Sequence, residues 1–137
     1  MGFKIMIADD DQDDVDIFSE VLAEFSKINS LLFNLSVAND GVELMKELKT
    51  QAELPKMLFL DINMPLKDGL TCLVEIKADD RYKNMMVIML STSSHHTHIR
   101  KAYEIGADLY IIKSNDYITF KGIIFDCLIS KGSMSEK

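Results

Sequence analysis

The stretch Met57-Leu58-Phe59-Leu60-Asp61 places four apolar residues directly before an acid. Pro55 stands just ahead of this run. Such a short, continuously apolar segment is typical of a strand that helices cover on both faces. The acid at its end indicates that a polar site begins where the buried strand stops. Runs of the same kind recur along the chain, and segments with helical spacing of apolar residues separate them.

Five predicted strands alternate with five predicted helices along the chain. A turn at Asn39-Asp40-Gly41 and a loop over 63–69 punctuate the pattern. Because βα units connect through right-handed crossovers, this alternation predicts a doubly wound α/β fold with a parallel sheet and helices on both faces. The predicted strands cover 3–8, 33–38, 57–60, 86–90 and 109–112, and the predicted helices cover 15–25, 42–48, 70–77, 99–105 and 118–129, with a loop around 27–30.

Length and composition suit one folded domain of 137 residues, 47% hydrophobic and 27% charged. A net charge of −7, from 22 acids and 15 bases, argues against nucleic-acid binding through a basic surface.

Cys72 and Cys127 lack a paired spacing, which indicates reduced thiols in the cytoplasm. No apolar run approaches the roughly 20 residues that a transmembrane helix needs. We predict a domain over residues 1–131 and a frayed tail over residues 132–137.

Polar side chains stand at the carboxyl ends of four predicted strands. Asp9 and Asp10 follow the first strand, Asp61 follows the third, Ser91 follows the fourth and Lys113 follows the fifth. In an open α/β sheet, ligands bind outside the carboxyl ends of the strands. The predicted fold therefore brings three acids, a hydroxyl and a lysine to one edge of the sheet.

These residue types suit a phosphate-handling site. Neighbouring carboxylates repel one another unless protons or a cation compensate them. Carboxylate oxygens without a histidine or thiol favour Mg²⁺. Lys113 can pair with a carboxylate or a phosphate oxygen, and the Ser91 hydroxyl can donate to a phosphate oxygen. The set thus supplies a positioned nucleophile surrounded by charge-stabilising groups, as phosphoryl transfer requires.

Each of these residues also has a simpler structural interpretation. The acids at 9–11 can cap a helix, Asp61 can form a turn, and Lys113 can be an ordinary strand-end lysine. Thr92 competes with Ser91 for the role of the hydroxyl donor. His95, His96 and His98 lie at the predicted start of a helix and lack a fourth ligand at zinc spacing, so we interpret them as exposed polar residues.

The ordered set resembles the receiver domain of response regulators in two-component signalling, of the single-domain type. The resemblance covers about residues 3–130 and implies a flavodoxin-like fold with a five-stranded parallel sheet in the order 2-1-3-4-5. The motifs that carry it are Asp9-Asp10, Asp61, Asn63-Met64-Pro65, Asp68-Gly69, Ser91, Tyr110 and Lys113.

The resemblance implies a role for each matching residue. Asp61 is implied to be the phosphoacceptor, with Ser91 and Lys113 contacting the phosphoryl group. Tyr110 is implied to be the aromatic that changes its packing as Ser91 moves inward. The implied Mg²⁺ ligands are Asp10, Asp61 and the backbone carbonyl of Asn63, with Asp9 nearby through water, and Asn63 and Ser93 are implied to tune the lifetime of the phosphoaspartate.

The resemblance also implies partners. A sensor histidine kinase or a phosphotransfer protein donates to Asp61, and the face formed by the fourth helix, fifth strand and fifth helix then changes its binding to a downstream protein target. The same face can also form a homodimer. We expect a cytoplasmic signalling protein rather than an enzyme, with no nucleic-acid or membrane partner. The alternatives are a phosphorylation-independent interaction module and a magnesium-dependent phosphohydrolase, for which Asp61 and Asn63 match an Asp-x-Asp pair only in part.

The sequence departs from the family pattern in a few places, one of which is a somewhat long region between Phe25 and Phe33. Ser91 stands where threonine is more frequent, and its hydroxyl can do the same work. Ser114 follows Lys113 where the family has proline, and a cis peptide is far less favourable without proline. Asp11, Asp13 and Asp14 extend the acidic cluster, and we interpret them as favourable charges at the N-terminus of the first helix.

Overall fold

A computed structural model describes residues 2–132 of the chain. Its five strands form one parallel sheet in the order β2-β1-β3-β4-β5, which confirms the predicted flavodoxin-like, doubly wound fold. The predicted tail lies outside the described residues from position 133 onward. The strands are β1 (Gly2–Ala8), β2 (Leu32–Ala38), β3 (Met57–Leu60), β4 (Met86–Ser91) and β5 (Leu109–Ile112), and the helices are α1 (Gln12–Asn29), α2 (Gly41–Thr50), α3 (Gly69–Lys77), α4 (His96–Ile105) and α5 (Tyr117–Ser130), with a 3₁₀ turn at Asp80–Tyr82.

The register of the sheet aligns the carboxyl ends of its strands. Ala8 pairs with Ala38 on one side and with Leu60 on the other. Ser91 pairs with Ile112 in the same way. Because all the strands are parallel, the residues that follow these pairs emerge at one edge of the sheet.

Alternate residues of the strands feed two separate cores. In β1, Met6 packs with residues of α2 and α3, whereas Ile7 packs on the opposite face with residues of α1 and α5. On that second face the rings of Phe18 and Phe59 lie with their centroids 4.7 Å apart. Burial on both faces explains why the strands read as continuous apolar runs, because neither face meets solvent.

The loop predicted around 27–30 is wrong, because α1 continues to Asn29. Ser30 ends the helix in the left-handed conformation, with φ of 54°, and its amide donates to the carbonyl of Ser26. Ile28 is 69% exposed, so the last turn carries no apolar stripe that the sequence could reveal. The other predicted elements are confirmed: β3 and β5 have the predicted bounds, and the rest are longer by up to three residues at an end.

The structure also bears on the two cysteines and on the apolarity of the helices. Cys72 and Cys127 are both buried and unpaired, and burial raises the pKa of each thiol to about 11. Among the helices described between residues 2 and 132, none has the length and apolarity that crossing a bilayer requires.

Strand β5 lies at the edge of the sheet, and α4 covers part of that edge. The amide of Tyr110 donates to the hydroxyl of Tyr103 in α4, at 3.0 Å, and not to a neighbouring strand. The Tyr103 side chain is itself 45% exposed. The helix therefore provides an acceptor for a strand amide that would otherwise point to solvent.

Two glycines let the β3–α3 loop pack against the rest of the fold. A Cβ atom on Gly69 would lie 2.0 Å from the carbonyl oxygen of Asp61, and the amide of Gly69 donates to the carbonyl of Ile62 at 2.8 Å. A Cβ atom on Gly41 would lie 2.0 Å from the carbonyl oxygen of Lys67. Both clashes would be with backbone, so any larger residue must displace the loop that follows Asp61.

The first prediction concerns this close approach. The substitution Gly69→Ala should lower the free energy of unfolding by about 1 to 3 kcal/mol, because the new methyl group displaces the backbone at Asp61. Urea unfolding followed by circular dichroism measures the change. The matched control is Gly122→Ala in α5, where a Cβ meets nothing within 4 Å and should raise stability by about 0.5 to 1 kcal/mol. Equal stability of Gly69→Ala and the wild type would contradict the packing described here.

Candidate functional site

Backbone hydrogen bonds extend the sheet by one residue beyond the ends of its strands. They fix Asp9, Asp61 and Lys113 at the carboxyl edge, so each side chain leaves the sheet from a rigid backbone position. The three bonds run from the amide of Asp9 to the carbonyl of Ala38 (3.0 Å), from the amide of Asp61 to the carbonyl of Ala8 (2.9 Å) and from the amide of Lys113 to the carbonyl of Ser91 (2.7 Å).

Three carboxylates converge at this edge. Oxygen atoms of Asp9, Asp10 and Asp61 lie within 4.8 Å of one another. Asp9 is 1% exposed and Asp61 is 6% exposed, whereas Asp10 faces solvent. An oxygen-only set with one open side fits a hard divalent cation such as Mg²⁺, which keeps several of its waters. The geometry therefore brings together the three acids that the sequence predicted as metal ligands.

Lys113 partly neutralises this cluster. Its Nζ donates to Asp9 Oδ2 at 2.9 Å and to Asp14 Oδ2 at 2.8 Å, and it lies 3.7 Å from Asp61 Oδ1. Burial alone would disfavour the charged amine. The hydrogen bonds to Asp14 and Asp9 and the charge of Asp61 outweigh burial, so the pKa of Lys113 is raised above its ordinary value. The ammonium thus remains charged across the physiological pH range.

The environment of Asp61 favours its neutral form. Burial raises the pKa of Asp61 to about 7, and the charges of Asp9 and Asp10 add to the shift. Lys113 and a hydrogen bond from the backbone amide of Asn63 oppose it. Lys113 alone is therefore not enough to hold the whole cluster ionised, and a bound cation would restore the charge of Asp61.

Ser93 connects the other predicted residues of the site. Its amide donates to Ser91 Oγ at 3.1 Å, and its carbonyl accepts from the hydroxyl of Tyr110 at 2.9 Å. Its own hydroxyl lies 2.6 Å from His98 Nδ1. Ser91 is fully buried, whereas its competitor Thr92 is exposed. The β4–α4 loop is therefore tied both to the end of β4 and to β5.

Two loops complete the surroundings of the site. Asn63 is exposed, two residues after Asp61, in the loop that Gly69 closes. The peptide between Lys113 and Ser114 is trans, as are all the described peptide bonds in residues 2–132. Replacement of the family's proline by serine is thus compatible with a trans loop after β5.

Asp14 is the site residue that the sequence reasoning missed. It was interpreted only as a favourable charge at a helix start, and it does lie in the first turn of α1, where its amide donates to the N-cap Asp11 at 3.4 Å. Its carboxylate, however, contacts Lys113, which is 99 positions away in sequence. The one available signal was an acid in the first turn of the helix that follows β1, close to the edge where Lys113 emerges.

A cluster of acids and a lysine at the carboxyl edge of a doubly wound sheet is the arrangement that the sequence resemblance implied. The chain belongs to the response regulator receiver domain family, whose model matches residues 5–124. The response regulator Rcp1 of Synechocystis sp. (strain ATCC 27184 / PCC 6803 / Kazusa) is 31% identical over 117 residues, which cover 82% of this chain and 77% of Rcp1.

Solved structures of response regulators share the fold. The phosphorylated cyanobacterial phytochrome response regulator RcpA has a TM-score of 0.86 and 29% identity, over 96% of both chains. The Mn²⁺-bound form of Rcp1 has a TM-score of 0.83 and 26% identity, over 94% of both chains. A chain of the CheX-CheY-BeF3-Mg²⁺ complex from Borrelia burgdorferi is 27% identical, with a TM-score of 0.79 over 95% of this chain and 89% of that chain.

The second prediction follows from the pKa of Asp61. A carboxyl whose pKa is about 7 in the folded state and 3.8 unfolded contributes stability at low pH. That contribution is lost as pH rises from about 4 through 7, because the folded state then gives up a proton that it holds more tightly than the unfolded chain. The substitution Asp61→Asn should therefore stabilise the metal-free domain by roughly 2 to 4 kcal/mol at pH 8, and much less at pH 4.5.

Urea unfolding in a chelator, repeated between pH 4.5 and pH 8, measures this difference. The control is Asp126→Asn, an exposed acid in α5, which should change stability by less than about 0.5 kcal/mol at either pH. A stability difference for Asp61→Asn that does not grow with pH would show that the Asp61 carboxylate is not destabilised in the folded state.

Proposed function

We propose that this chain is the phosphoacceptor of a two-component relay and that Asp61 receives the phosphoryl group. The observation that carries this proposal is the convergence of Asp9, Asp10 and Asp61 within 4.8 Å, with the Lys113 ammonium 3.7 Å from Asp61. The phosphorylated state of the related RcpA supports it. The donor is a phosphohistidine on a sensor histidine kinase or a phosphotransfer protein, and the chain acts as a signalling protein rather than as an enzyme with its own substrate.

In the proposed transfer, a carboxylate oxygen of Asp61 attacks the phosphorus of the phosphohistidine. An O–P bond forms, the N–P bond breaks, and its electron pair returns to the imidazole of the partner. Lys113 and the hydroxyl of Ser91 would contact oxygens of the incoming phosphoryl group. Burial raises the pKa of Asp61 to about 7 even with Lys113 beside it, so a further positive charge is needed to keep the attacking oxygen fully ionised at neutral pH.

Asp10, Asp61 and the backbone carbonyl of Asn63 would hold Mg²⁺, with Asp9 beside it. The oxygen-only donor set and its open, solvent-facing side fit this ion. Mg²⁺ supplies positive charge that offsets both the carboxylates and the phosphoryl oxygens. The Mn²⁺ in Rcp1 and the Mg²⁺ in the Borrelia complex support a divalent cation in this class of site.

The output of the relay would be a change in partner binding. Movement of Ser91 toward a phosphoryl group would break its bond from the amide of Ser93 and disturb the bond between Tyr110 and the Ser93 carbonyl. Tyr110 lines a groove of about 480 Å³ along β5 and α5. We propose that the face formed by α4, β5 and α5 then binds a downstream protein target, or a second copy of the chain.

The remaining assignments belong to the same proposal. Asn63 and Ser93 flank Asp61 and Ser91 and would set the lifetime of the phosphoaspartate. The receiver domain would span residues 1–131, followed by a tail over 132–137. The two unpaired, buried thiols support a reducing compartment, and we propose the cytoplasm.

The third prediction tests the acceptor residue. Incubation of the wild type with Mg²⁺ and acetyl phosphate should add one phosphoryl mass of about 80 Da, from simple formula arithmetic for group transfer to a carboxylate. The added mass should be absent in Asp61→Asn and in a chelator. Intact mass spectrometry measures it, and beryllofluoride binding provides a second readout that does not depend on the lifetime of the phosphoaspartate.

Other outcomes separate the competing functions. Phosphate release from unrelated phosphate esters, lost in Asp61→Asn, would identify a phosphohydrolase. A wild type that gains no mass and binds no beryllofluoride would identify an interaction module that does not use phosphorylation. Labelling retained in Asp61→Asn would place the acceptor elsewhere in the chain.

The fourth prediction concerns the cation. Saturating Mg²⁺ at pH 8 should stabilise the wild type, by about 2.7 kcal/mol at one hundred times its dissociation constant. Asp10→Asn should weaken this gain, and because Asp10 is exposed, the metal-free variant should remain folded. Thermal unfolding with and without Mg²⁺ measures both, with Asp126→Asn as the charge-matched control. An equal gain for Asp10→Asn and the wild type would exclude Asp10 as a ligand.

A further inference from the structure

We propose that Asp14 is a positioning residue. In the unphosphorylated protein it holds the Lys113 ammonium beyond hydrogen-bond length from Asp61, and so it opposes contact between Lys113 and a phosphoryl group on Asp61. The inference rests on the phosphoacceptor function proposed above and adds a residue to it. Asp14 contacts neither the cation site nor Asp61 in the described hydrogen bonds and ion pairs of residues 2–132. It would act only through the lysine.

The hydrogen bonds of Lys113 show how it is held. An ammonium group has three N–H donors. One donates to Asp9 at 2.9 Å and another to Asp14 at 2.8 Å, whereas Asp61 lies at 3.7 Å, beyond hydrogen-bond length. The Lys113 ammonium therefore makes two charge-assisted hydrogen bonds, and both go to carboxylates other than that of the proposed acceptor Asp61.

The carboxylate of Asp14 sits on a rigid support. It lies in the first turn of α1, whose N-cap Asp11 accepts hydrogen bonds from the amides of Asp13 and Asp14. The next residue, Val15, is 4% exposed and fixes the turn against the core. Because this turn is fixed by its cap and by Val15, we expect a shift of Lys113 toward Asp61 to lengthen or break its bond to Asp14.

The negative charge of Asp14 also opposes phosphoryl binding at Asp61, as does its hydrogen bond to Lys113. The Asp14 side chain is 35% exposed, so water can replace Lys113 as its partner. Removal of the Asp14 charge leaves the bond to Asp9 in place but removes one of the two bonds that hold the ammonium away from Asp61. It also removes one negative charge from the neighbourhood of an anionic phosphoryl group. Both effects favour the phosphoryl-bound state over the resting state, which shifts the equilibrium between the two.

The fifth prediction compares two substitutions in one helical turn. Asp14→Asn should bind beryllofluoride about two- to fivefold more tightly than the wild type in saturating Mg²⁺, as expected for loss of one partly exposed ion pair. Asp13→Asn removes the same charge one residue away, and Asp13 is exposed and forms no ion pair within residues 2–132. It should bind beryllofluoride as the wild type does. Isothermal titration calorimetry measures all three affinities, and Asp14→Ala is the second variant if Asp14→Asn folds poorly.

A second readout follows the lysine itself. In the metal-free protein, the side-chain NMR signal of Lys113 should shift in Asp14→Asn and stay in place in Asp13→Asn. A merely structural role for Asp14 would change the thermal stability of the domain without tightening beryllofluoride binding, and that result would overturn the inference. Equal tightening in both variants would also overturn it, because the effect would then be one of general charge.

The two proposals fail in different ways. If the wild type does not bind beryllofluoride at all, both the proposed phosphoacceptor function and this inference are overturned. A wild type that binds it, with Asp14→Asn unchanged or weaker, would leave the acceptor function standing and overturn the role of Asp14 alone.

Discussion

The carboxylates of Asp9, Asp10 and Asp61 lie within 4.8 Å of one another, and the fold must offset the repulsion between them. Lys113 supplies one positive charge to this cluster, from the end of β5, and it bonds to Asp9 at 2.9 Å. One charge does not balance three, and burial raises the pKa of Asp61 to about 7. The metal-free site is therefore short of positive charge, which suits it to take up a cation.

The sheet, its two cores and the β3–α3 loop fix the positions of these charged side chains. The parallel register brings the carboxyl ends of the strands level, and amide-to-carbonyl bonds extend that register through Asp9, Asp61 and Lys113. Cores on both faces of the sheet make its edge rigid. Gly69 allows the loop after Asp61 to close against the strand end. A preorganised site of this kind can stabilise charge with little rearrangement of its own groups.

The sequence predicted the fold and the main acids well, because both depend on strong local patterns. Apolar runs of five strands and the residues directly after them are visible in the chain itself. The loop predicted around 27–30 failed because Ile28 is exposed, so the last turn of α1 lacks an apolar stripe. Asp14 was missed because its contact with Lys113 joins residues 99 positions apart, and only the folded chain shows which of several acids reaches the lysine.

The hydrogen bond from the amide of Tyr110 to the hydroxyl of Tyr103 has a consequence for molecular recognition. An edge strand commonly recruits other proteins by backbone pairing, which is tolerant of sequence. In β5 this route is obstructed, because a side chain from α4 already accepts the hydrogen bond that an added strand would take. A protein that docked on this part of the edge would then have to recognise the shape and chemistry of side chains.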